Sequence, residues 1–153
     1  MRPLRMRGFV IALAVAIVDQ ATKALAVARL EDQPAISAIP HILNFRFARN
    51  SGAAFSMGES FTLVFTLIST LVALGIIFFG GRSRGINSTL LSLVLGGVSG
   101  NLIDRFFRTP GFLHGHVVDW IELPHWPIFN IADSCVVVAA LIYVLYSGKK
   151  RNA

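Results

Sequence analysis

Two carboxylates, Asp119 and Asp133, border apolar segments in the second half of the chain. Asp119 stands between Val118 and Trp120, and Asp133 follows Asn130 at the head of an apolar run. If folding brings the two carboxyl groups within a few Å, they cannot both ionise comfortably, and one holds a proton near neutral pH. The ionised group can take a proton from water while the protonated group donates to a carbonyl oxygen. Such a pair could hydrolyse a peptide bond without a metal or a covalent intermediate.

Other polar side chains interrupt the apolar runs, where an ionisable group is costly and is therefore a functional candidate. Asp19 and Lys23 are four residues apart with the acid first, an order that favours an ion pair on one helix face. Asn101, Asp104 and Arg105 are spaced so that they share one face of another helix. The alternatives are structural: a self-neutralised Asp19–Lys23 pair, and a surface pair between Asp104 and Arg105.

Two further interpretations of the polar residues stay open. His114, His116 and Asp119 could offer two imidazoles and a carboxylate to Zn²⁺. Against this, Gly115 predicts a flexible loop, and no pair of histidines on a helix fixes the geometry. Asp133 by itself could serve only to favour the positive N-terminus of a helix.

The composition predicts that these residues belong to a membrane protein. Of the 153 residues, 54% are hydrophobic and only 14% are charged, whereas soluble domains carry about 25% charged residues. Apolar runs long enough to cross a membrane predict one domain, residues 1–153, with spans at about 8–30, 61–81, 87–105 and 128–147. The first run could instead be a signal peptide, because arginines precede its short apolar core. Asp19 and Lys23 argue for a retained helix.

The basic residues predict the orientation of the four spans. They lie before the first span, between the second and third, and after the fourth, in segments without Asp or Glu: Arg2, Arg5 and Arg7; Arg82 and Arg84; Lys149, Lys150 and Arg151. Both termini are therefore expected in the cytoplasm, with the candidate site near the opposite, outer face. The formal net charge of +6 does not indicate nucleic acid binding, because the basic residues flank apolar runs.

Two outer segments, residues 31–60 and 106–127, must complete the site. Polar and apolar residues alternate over 41–49, which predicts a strand or hairpin at the membrane surface. Gly52 predicts a turn, and residues 50–58 could begin a short amphipathic helix. The second outer segment is expected to be a loop that carries Asp119.

Five motifs, in this order along the chain, resemble the lipoprotein signal peptidase family, also called signal peptidase II. They are DQATK at 19–23, ARNSGAAFS at 48–56, GGVSGNLIDR at 96–105, VVDWI at 117–121 and FNIAD at 129–133. The resemblance implies an all-α membrane protein with four transmembrane helices, a small extracytoplasmic β-cradle and a short surface helix. It also implies an aspartic endopeptidase of the bacterial cytoplasmic membrane. Such an enzyme removes the signal peptide from diacylglyceryl-modified prolipoproteins, cleaving just before the lipidated Cys.

The resemblance also implies roles for residues of this sequence. It makes Asp119 and Asp133 the catalytic pair, with no metal ligand and no cofactor. The implied supporting and substrate-binding positions are Asp19, Lys23, Asn50, Gly52, Asn101, Asp104, Arg105 and Asn130. The implied partners are the prolipoprotein and membrane lipid, and we expect the chain to act as a monomer. The segment 105–119 departs from the family by its greater length, and its Gly and Pro residues predict an outward bulge.

Two alternatives from other functional classes remain. A small proton-coupled transporter or channel subunit would use the intramembrane charges as a relay, and a non-catalytic scaffold would use them only for packing. A transporter should carry such charges into the cytoplasmic half of its spans. Apart from Asp19 and Lys23, expected near the middle of the first span, the intramembrane polar groups lie toward one end.

Overall fold

Four long helices dominate the computed structural model, which describes residues 1–52 and 60–151. The helices within these residues are α1 (Met6–Leu30), α2 (Ser60–Phe79), α3 (Ile86–Phe107) and α4 (Ile131–Arg151), with a 3-10 turn at Gly80–Arg82. Each of these four helices is long and apolar enough to cross a membrane, which confirms the predicted class. The predicted short surface helix falls on residues outside those described.

Helix α3 is the centre of the bundle, because its glycines let two other helices approach closely. A Cβ atom on Gly96 would lie 2.6 Å from Cβ of Val15 in α1, and one on Gly100 would lie 2.5 Å from Oδ2 of Asp19. Gly97 faces α4, where a Cβ atom would overlap the carbonyl oxygen of Ala132. The close contact predicted from the G-x-x-x-G spacing is therefore present, and it brings Asp19 against α3.

A three-stranded antiparallel sheet covers one end of the bundle. Strands β1 (Ile36–Ile39) and β2 (Leu43–Asn50) form a hairpin, as the alternation over 41–49 predicts. Strand β3 (Val117–Glu122) pairs with β2, so the expectation of a loop there is wrong. The sequence did not predict this strand because buried and exposed residues do not alternate along it. The first three residues of β3 are all buried, and the last three are half-buried.

The register of β2 and β3 has a direct consequence for the candidate site. Ala48 pairs with Asp119, and Asn50 pairs with Val117. Residues two positions apart on a strand point to the same face. Asn50 therefore lies diagonally across from Asp119 on the adjacent strand, within reach of its carboxylate.

The connection between α3 and β3 folds back on the end of α3. The Gly115 N–H donates to the carbonyl oxygen of Arg105 at 3.1 Å. A side chain at Gly115 would overlap the carbonyl oxygen of Asp104. Gly115 is thus a contact residue, which corrects the expectation that it makes the loop flexible. Pro110 and Phe112 at the tip are exposed, in keeping with the predicted outward bulge.

Helix α4 begins at Ile131, three residues later than the apolar run, because Asn130 caps it. Asn130 Oδ1 accepts the N–H of Asp133 at 2.9 Å, and Asp133 Oδ2 accepts the N–H of Asn130 at 3.3 Å. This reciprocal arrangement satisfies two backbone donors at the helix start. The capping alternative for Asp133 therefore holds alongside any chemical role.

Candidate active site

Strand β3 and the first turn of α4 bring Asp119 and Asp133 into contact with the same residue, Asn130. Asn130 Nδ2 donates to Asp119 Oδ1 at 2.6 Å, while Asn130 and Asp133 share the helix cap. Asp119 is only 2% exposed and Asn130 is fully buried, whereas Asp133 is half-buried. The expected juxtaposition of the two carboxylates at one end of the spans is therefore present, with an amide between them.

Two more asparagines donate to the carboxylates. Asn50 Nδ2 lies 2.9 Å from Asp119 Oδ2, so each oxygen of Asp119 accepts one amide N–H. Asn101 Nδ2 donates to Asp133 Oδ1 at 2.8 Å. Asn101 Oδ1 in turn accepts from Asn130 Nδ2 at 3.1 Å. The three amides thus link the two carboxylates into one hydrogen-bonded network.

The orientation of each amide is set by its oxygen. Asn50 Oδ1 accepts the N–H of Gly52 at 2.8 Å, and Asn130 Oδ1 accepts the N–H of Asp133 at 2.9 Å. Asn101 Oδ1 accepts from the ammonium of Lys23 at 2.9 Å. Because backbone N–H groups and ammonium groups can only donate, each of these amides must present its NH₂ group to a carboxylate.

Lys23 is the centre of a buried ionic cluster, which we call the Lys23 cluster (Asp19, Lys23, Asn101 and Asp104). Its Nζ atom lies 2.8 Å from Asp19 Oδ2, 2.8 Å from Asp104 Oδ2 and 2.9 Å from Asn101 Oδ1. The three side chains that carry charge are fully buried. An ammonium has three donors, so each donor of Lys23 has an acceptor.

The structure decides between the structural alternatives for these charges. The Asp19–Lys23 pair exists, but it is shared with Asp104 and so is not a self-contained pair. The surface pair between Asp104 and Arg105 is wrong, because Asp104 is buried and its Oδ1 accepts from Arg108 Nε at 2.6 Å.

The two acids of the Lys23 cluster also bind the backbone beside each candidate catalytic residue. Asp19 Oδ1 accepts the N–H of Ala132 at 2.9 Å, and Ala132 directly precedes Asp133. Asp104 Oδ2 accepts the N–H of Val118 at 3.1 Å, and Val118 directly precedes Asp119. A carboxylate acceptor makes each of these bonds charge-assisted and correspondingly strong. The Lys23 cluster therefore fixes the positions of both candidate catalytic segments through their backbone.

Arg105 brings a cation to the same site. It is 7% exposed, and its Nη1 group is buried and finds no acceptor among the described residues. Its Nη2 atom lies 3.6 Å from where a Cβ atom on Gly52 would stand, and Gly52 has a positive φ of 99°. The backbone at Gly52 is therefore one that glycine adopts most readily, and it places the turn beside the guanidinium.

Burial and a neighbouring charge make Asp119 a weak acid. Burial raises the pKa of Asp119 most, and the negative charge of Asp133 raises it further, to about 7. The hydrogen bonds from Asn50 and Asn130 act in the opposite direction and lower it. Asp119 can therefore exchange a proton near neutral pH, as general acid–base chemistry requires.

An apolar cavity of about 270 Å³ opens beside Asp133. Its walls combine the start of α4 with the segment after β3, in the residues Leu123, Trp126, Phe129, Asp133, Ser134, Val137 and Val138. Val137 and Val138 are exposed on the outer surface of a membrane-crossing helix. The cavity can therefore be reached sideways from lipid.

The zinc alternative finds little support in the side-chain positions. His114 is exposed, and both oxygens of Asp119 are engaged by amide donors. Among the described residues, no group of three or more His, Cys, Asp and Glu side chains is arranged to hold a metal ion.

Four residues of the surrounding network were missed from the sequence. Gln20 Nε2 donates to Asp104 Oδ1 at 3.2 Å and to the carbonyl oxygen of Gly100 at 2.9 Å. Arg108 Nε donates to the same carboxylate oxygen at 2.6 Å. Thr62 and Thr66 on α2 donate to the carbonyl oxygens of Ser51 and Leu113 respectively, which ties α2 to both outer segments. Their spacing of four residues within an apolar helix was the available signal.

The fold and the site define a multi-pass membrane protein with two carboxylates joined by an amide network at one end of its spans. The model of the family described as signal peptidase (SPase) II matches residues 11–148. Two relatives are both named lipoprotein signal peptidase. The one from Rhodococcus jostii is 45% identical over 142 residues, covering 92% of this chain and 72% of that protein. The one from Mycobacterium leprae is 46% identical over 147 residues, covering 95% and 73%.

Two solved structures of a bacterial membrane enzyme, determined by the in meso method, share the fold. One has a TM-score of 0.79 at 28% identity, with 99% of this chain and 94% of that chain covered. The other has a TM-score of 0.80 at 28% identity, with 95% and 96% covered. The chain belongs to the signal peptidase II family and is an aspartic peptidase. Family membership thus decides against the transporter and scaffold alternatives.

Proposed function

We propose that this chain, as one peptidase domain, removes the signal peptide from diacylglyceryl-modified prolipoproteins by cleaving just before the lipidated Cys. The observation that carries the proposal is the carboxylate pair Asp119 and Asp133, joined through oriented amides beside a cavity that opens to lipid. The relatives named lipoprotein signal peptidase support the substrate class. An apolar signal helix with two acyl chains stays in the bilayer, so it must reach the site sideways.

The two carboxylates divide the proton transfers. We assign the resting proton to Asp119, because its pKa of about 7 keeps it partly protonated at neutral pH. Asp133, half-buried beside the cavity, takes a proton from the attacking water. Asp119 donates its proton to the scissile carbonyl oxygen, which gives a tetrahedral diol. When the diol collapses, the C–N bond breaks as the leaving nitrogen accepts a proton from Asp133. Asp119 takes back the proton of one hydroxyl as the carbonyl re-forms, which restores both carboxyl groups to their starting states.

The surrounding residues position these groups. Asn50, Asn101 and Asn130 hold the carboxylates through N–H donors whose direction is fixed. Asp19 and Asp104 hold the backbone before each catalytic residue, and Lys23 holds both acids. Arg105 offers to a carbonyl of the bound substrate its Nη1 donor, which has no acceptor among the residues that the structure describes, and Gly52 forms the turn beside the guanidinium.

The site is assigned to the extracytoplasmic face, and both termini to the cytoplasm. Within residues 1–52 and 60–151, the end of the bundle where α1 and α3 begin carries no acidic side chains. It carries basic ones, including Arg5, Arg7 and Arg84. This asymmetry supports the orientation through the excess of basic residues in cytoplasmic loops. No cofactor is required, and a monomer suffices, because each named group comes from the same chain.

Cleavage of a modified and an unmodified precursor tests the proposal. The purified chain is incubated with a diacylglyceryl-modified prolipoprotein and, as a matched control, with the same precursor lacking the lipid. Mass spectrometry of the products reports the cleaved bond. We expect cleavage of the modified precursor alone, immediately before the lipidated Cys. Equal cleavage of both precursors, or cleavage elsewhere, would contradict the proposed substrate.

A further inference from the structure

A second cavity, of about 300 Å³, lies at the other end of the bundle, where α1 and α3 begin. We call it the arginine cavity. It is lined by Arg5, Arg7, Gly8, Ile11, Arg84, Gly85, Ser88, Thr89 and Ser92. At about 1.5 Å per residue, Gly8 is roughly 16 Å along α1 from Asp19, so the cavity is separate from the candidate active site.

The charge around the arginine cavity has one sign. Arg5, Arg7 and Arg84 line it, and none of the ion pairs found within residues 1–52 and 60–151 includes them. The sequence has no Asp or Glu before Asp19 and none between residues 60 and 103. Three guanidinium groups without a nearby acid create a positive potential that favours an anion.

Neutral groups in the cavity add donors suited to a phosphate. Helix α3 starts at Ile86 with no side-chain cap, and its N-cap residue is Gly85 at a φ of 56°. The first N–H groups of a helix and its dipole favour an anion at this position. The hydroxyls of Ser88 and Thr89 lie on the same wall. The cavity therefore combines cationic side chains, hydroxyl-bearing residues and the positive end of the α3 dipole.

The floor of the cavity is formed by a close contact between the two helices. A Cβ atom on Gly8 would lie 2.8 Å from Ser92 Oγ, and that hydroxyl donates to the carbonyl oxygen of Ser88 at 2.7 Å. The relative position of α1 and α3 is thus fixed by a contact between two residues that line the cavity. Because this contact holds the two helices in place, the backbone that carries the exposed arginines needs little ordering on binding.

We propose that the arginine cavity binds the phosphate of an anionic phospholipid. The cavity lies where two membrane-crossing helices begin, which is the level of the lipid headgroups. Ile11 of α1 is an apolar residue that lines the cavity, and an acyl chain can pack against it. A soluble phosphate would gain the charge interactions but not this apolar contact, so we commit to the lipid. Binding here is independent of the peptide chemistry proposed above.

Lipid binding by charge-matched variants tests this inference. The purified full chain, in an uncharged detergent, is titrated with phosphatidylglycerol or with phosphatidylcholine of the same acyl chains. Bound lipid is counted by native mass spectrometry. The variants are Arg84→Gln, which removes a cavity cation, and Arg82→Gln, which removes a cation two residues away. Arg82 stacks over Phe79 at 5.6 Å and does not line the cavity. Thermal melting checks that both variants are folded.

We expect phosphatidylglycerol to bind more tightly than phosphatidylcholine. Arg84→Gln should weaken its binding by about tenfold or more, as the loss of a hydrogen bond to a charged group predicts. Arg82→Gln should weaken it by no more than about fivefold, the general effect of one surface cation. Equal losses of phosphatidylglycerol affinity in the two variants would overturn the inference. The lipid would then be attracted by the overall positive charge of this end of the chain and not by the cavity. Displacement of the lipid by low millimolar inorganic phosphate would also overturn it, by assigning the cavity to soluble phosphate.

Discussion

Replacing Lys23 by methionine should separate the stabilising role of the Lys23 cluster from its role in positioning the site. In the unmutated chain, the charges of Asp19, Lys23, Asp104 and Arg108 sum to zero. Lys23→Met leaves one uncompensated negative charge where both partner acids are fully buried. Removing one partner of a buried ion pair costs about 3–5 kcal/mol. At about 2–4 °C per kcal/mol for a chain of this length, the Tm should fall by roughly 6–20 °C.

A second variant makes this prediction specific. In Asp19→Asn/Lys23→Met, the remaining pair of Asp104 and Arg108 at 2.6 Å is neutral, and the new amide oxygen at position 19 can still accept the N–H of Ala132. The Tm should therefore recover by at least about half of the loss. Activity should not recover, because Asn101 Oδ1 has lost the ammonium that orients it. The loss of a charge-assisted bond predicts roughly 10- to 150-fold lower kcat.

The assay pairs thermal melting in detergent with cleavage of the lipid-modified precursor. Arg29→Met, which removes an exposed cation from the last turn of the same helix, is the matched control and should melt within about 2 °C of the unmutated chain. A Tm of Lys23→Met as high as that of the control would refute the stabilising role. Full activity in the double variant would refute the positioning of Asn101 by Lys23.

Three further predictions concern pH, metal and substrate contact. The cleavage rate should fall as the pH rises through about 7, because Asp119 then loses its proton. The folded chain binds this proton more tightly than the unfolded chain. The contribution of Asp119 to stability is therefore greatest below pH 3.8 and declines as the pH rises to about 7. In a melting series at several pH values, the Tm of Asp119→Asn should depend less on pH than that of the unmutated chain. EDTA should leave the cleavage rate unchanged, and His114→Ala should lower it only slightly. Loss of activity in EDTA with recovery on adding Zn²⁺ would favour the zinc alternative. Arg105→Ala should lower the rate strongly and Arg105→Lys should not restore it, since lysine lacks the planar fork; a pH limb displaced by more than about one unit would mean that Arg105 instead tunes the carboxylates.

The sequence predicts the parts of this molecule that depend on local pattern. Uncharged apolar runs predict the membrane helices because lipid allows few other backbone conformations. The spacing of Asp19 and Lys23 predicts an ion pair because four residues make one helical turn. The third member, Asp104, lies 81 positions further along the chain than Lys23, and no local pattern connects them.

The asparagine network shows why the site could be predicted only in part. Asn50 reaches Asp119 through the register of β2 and β3, and β3 lacks the alternation that marks a strand. Thr62 and Thr66 donate to backbone carbonyl oxygens of the outer segments. Every residue has such a carbonyl, so the residue types do not show which one accepts. Motif resemblance could identify Asn101 and Asn130 as site positions. It could not show that Lys23 and a helix cap set the direction of their amides.

Cleavage by carboxylate-to-amide variants tests the central role of Asp119 and Asp133 most directly. Asp119→Asn and Asp133→Asn are compared with Glu122→Gln, which makes the same kind of change on the same strand as Asp119. Glu122 pairs with exposed Arg46 instead of the site. With lipid-modified prolipoprotein as substrate, each catalytic variant should lose about 10³-fold or more in rate, and the double variant should be little worse than either single one. Glu122→Gln should retain activity. Substantial turnover by folded Asp119→Asn or Asp133→Asn would contradict the assignment of the catalytic pair.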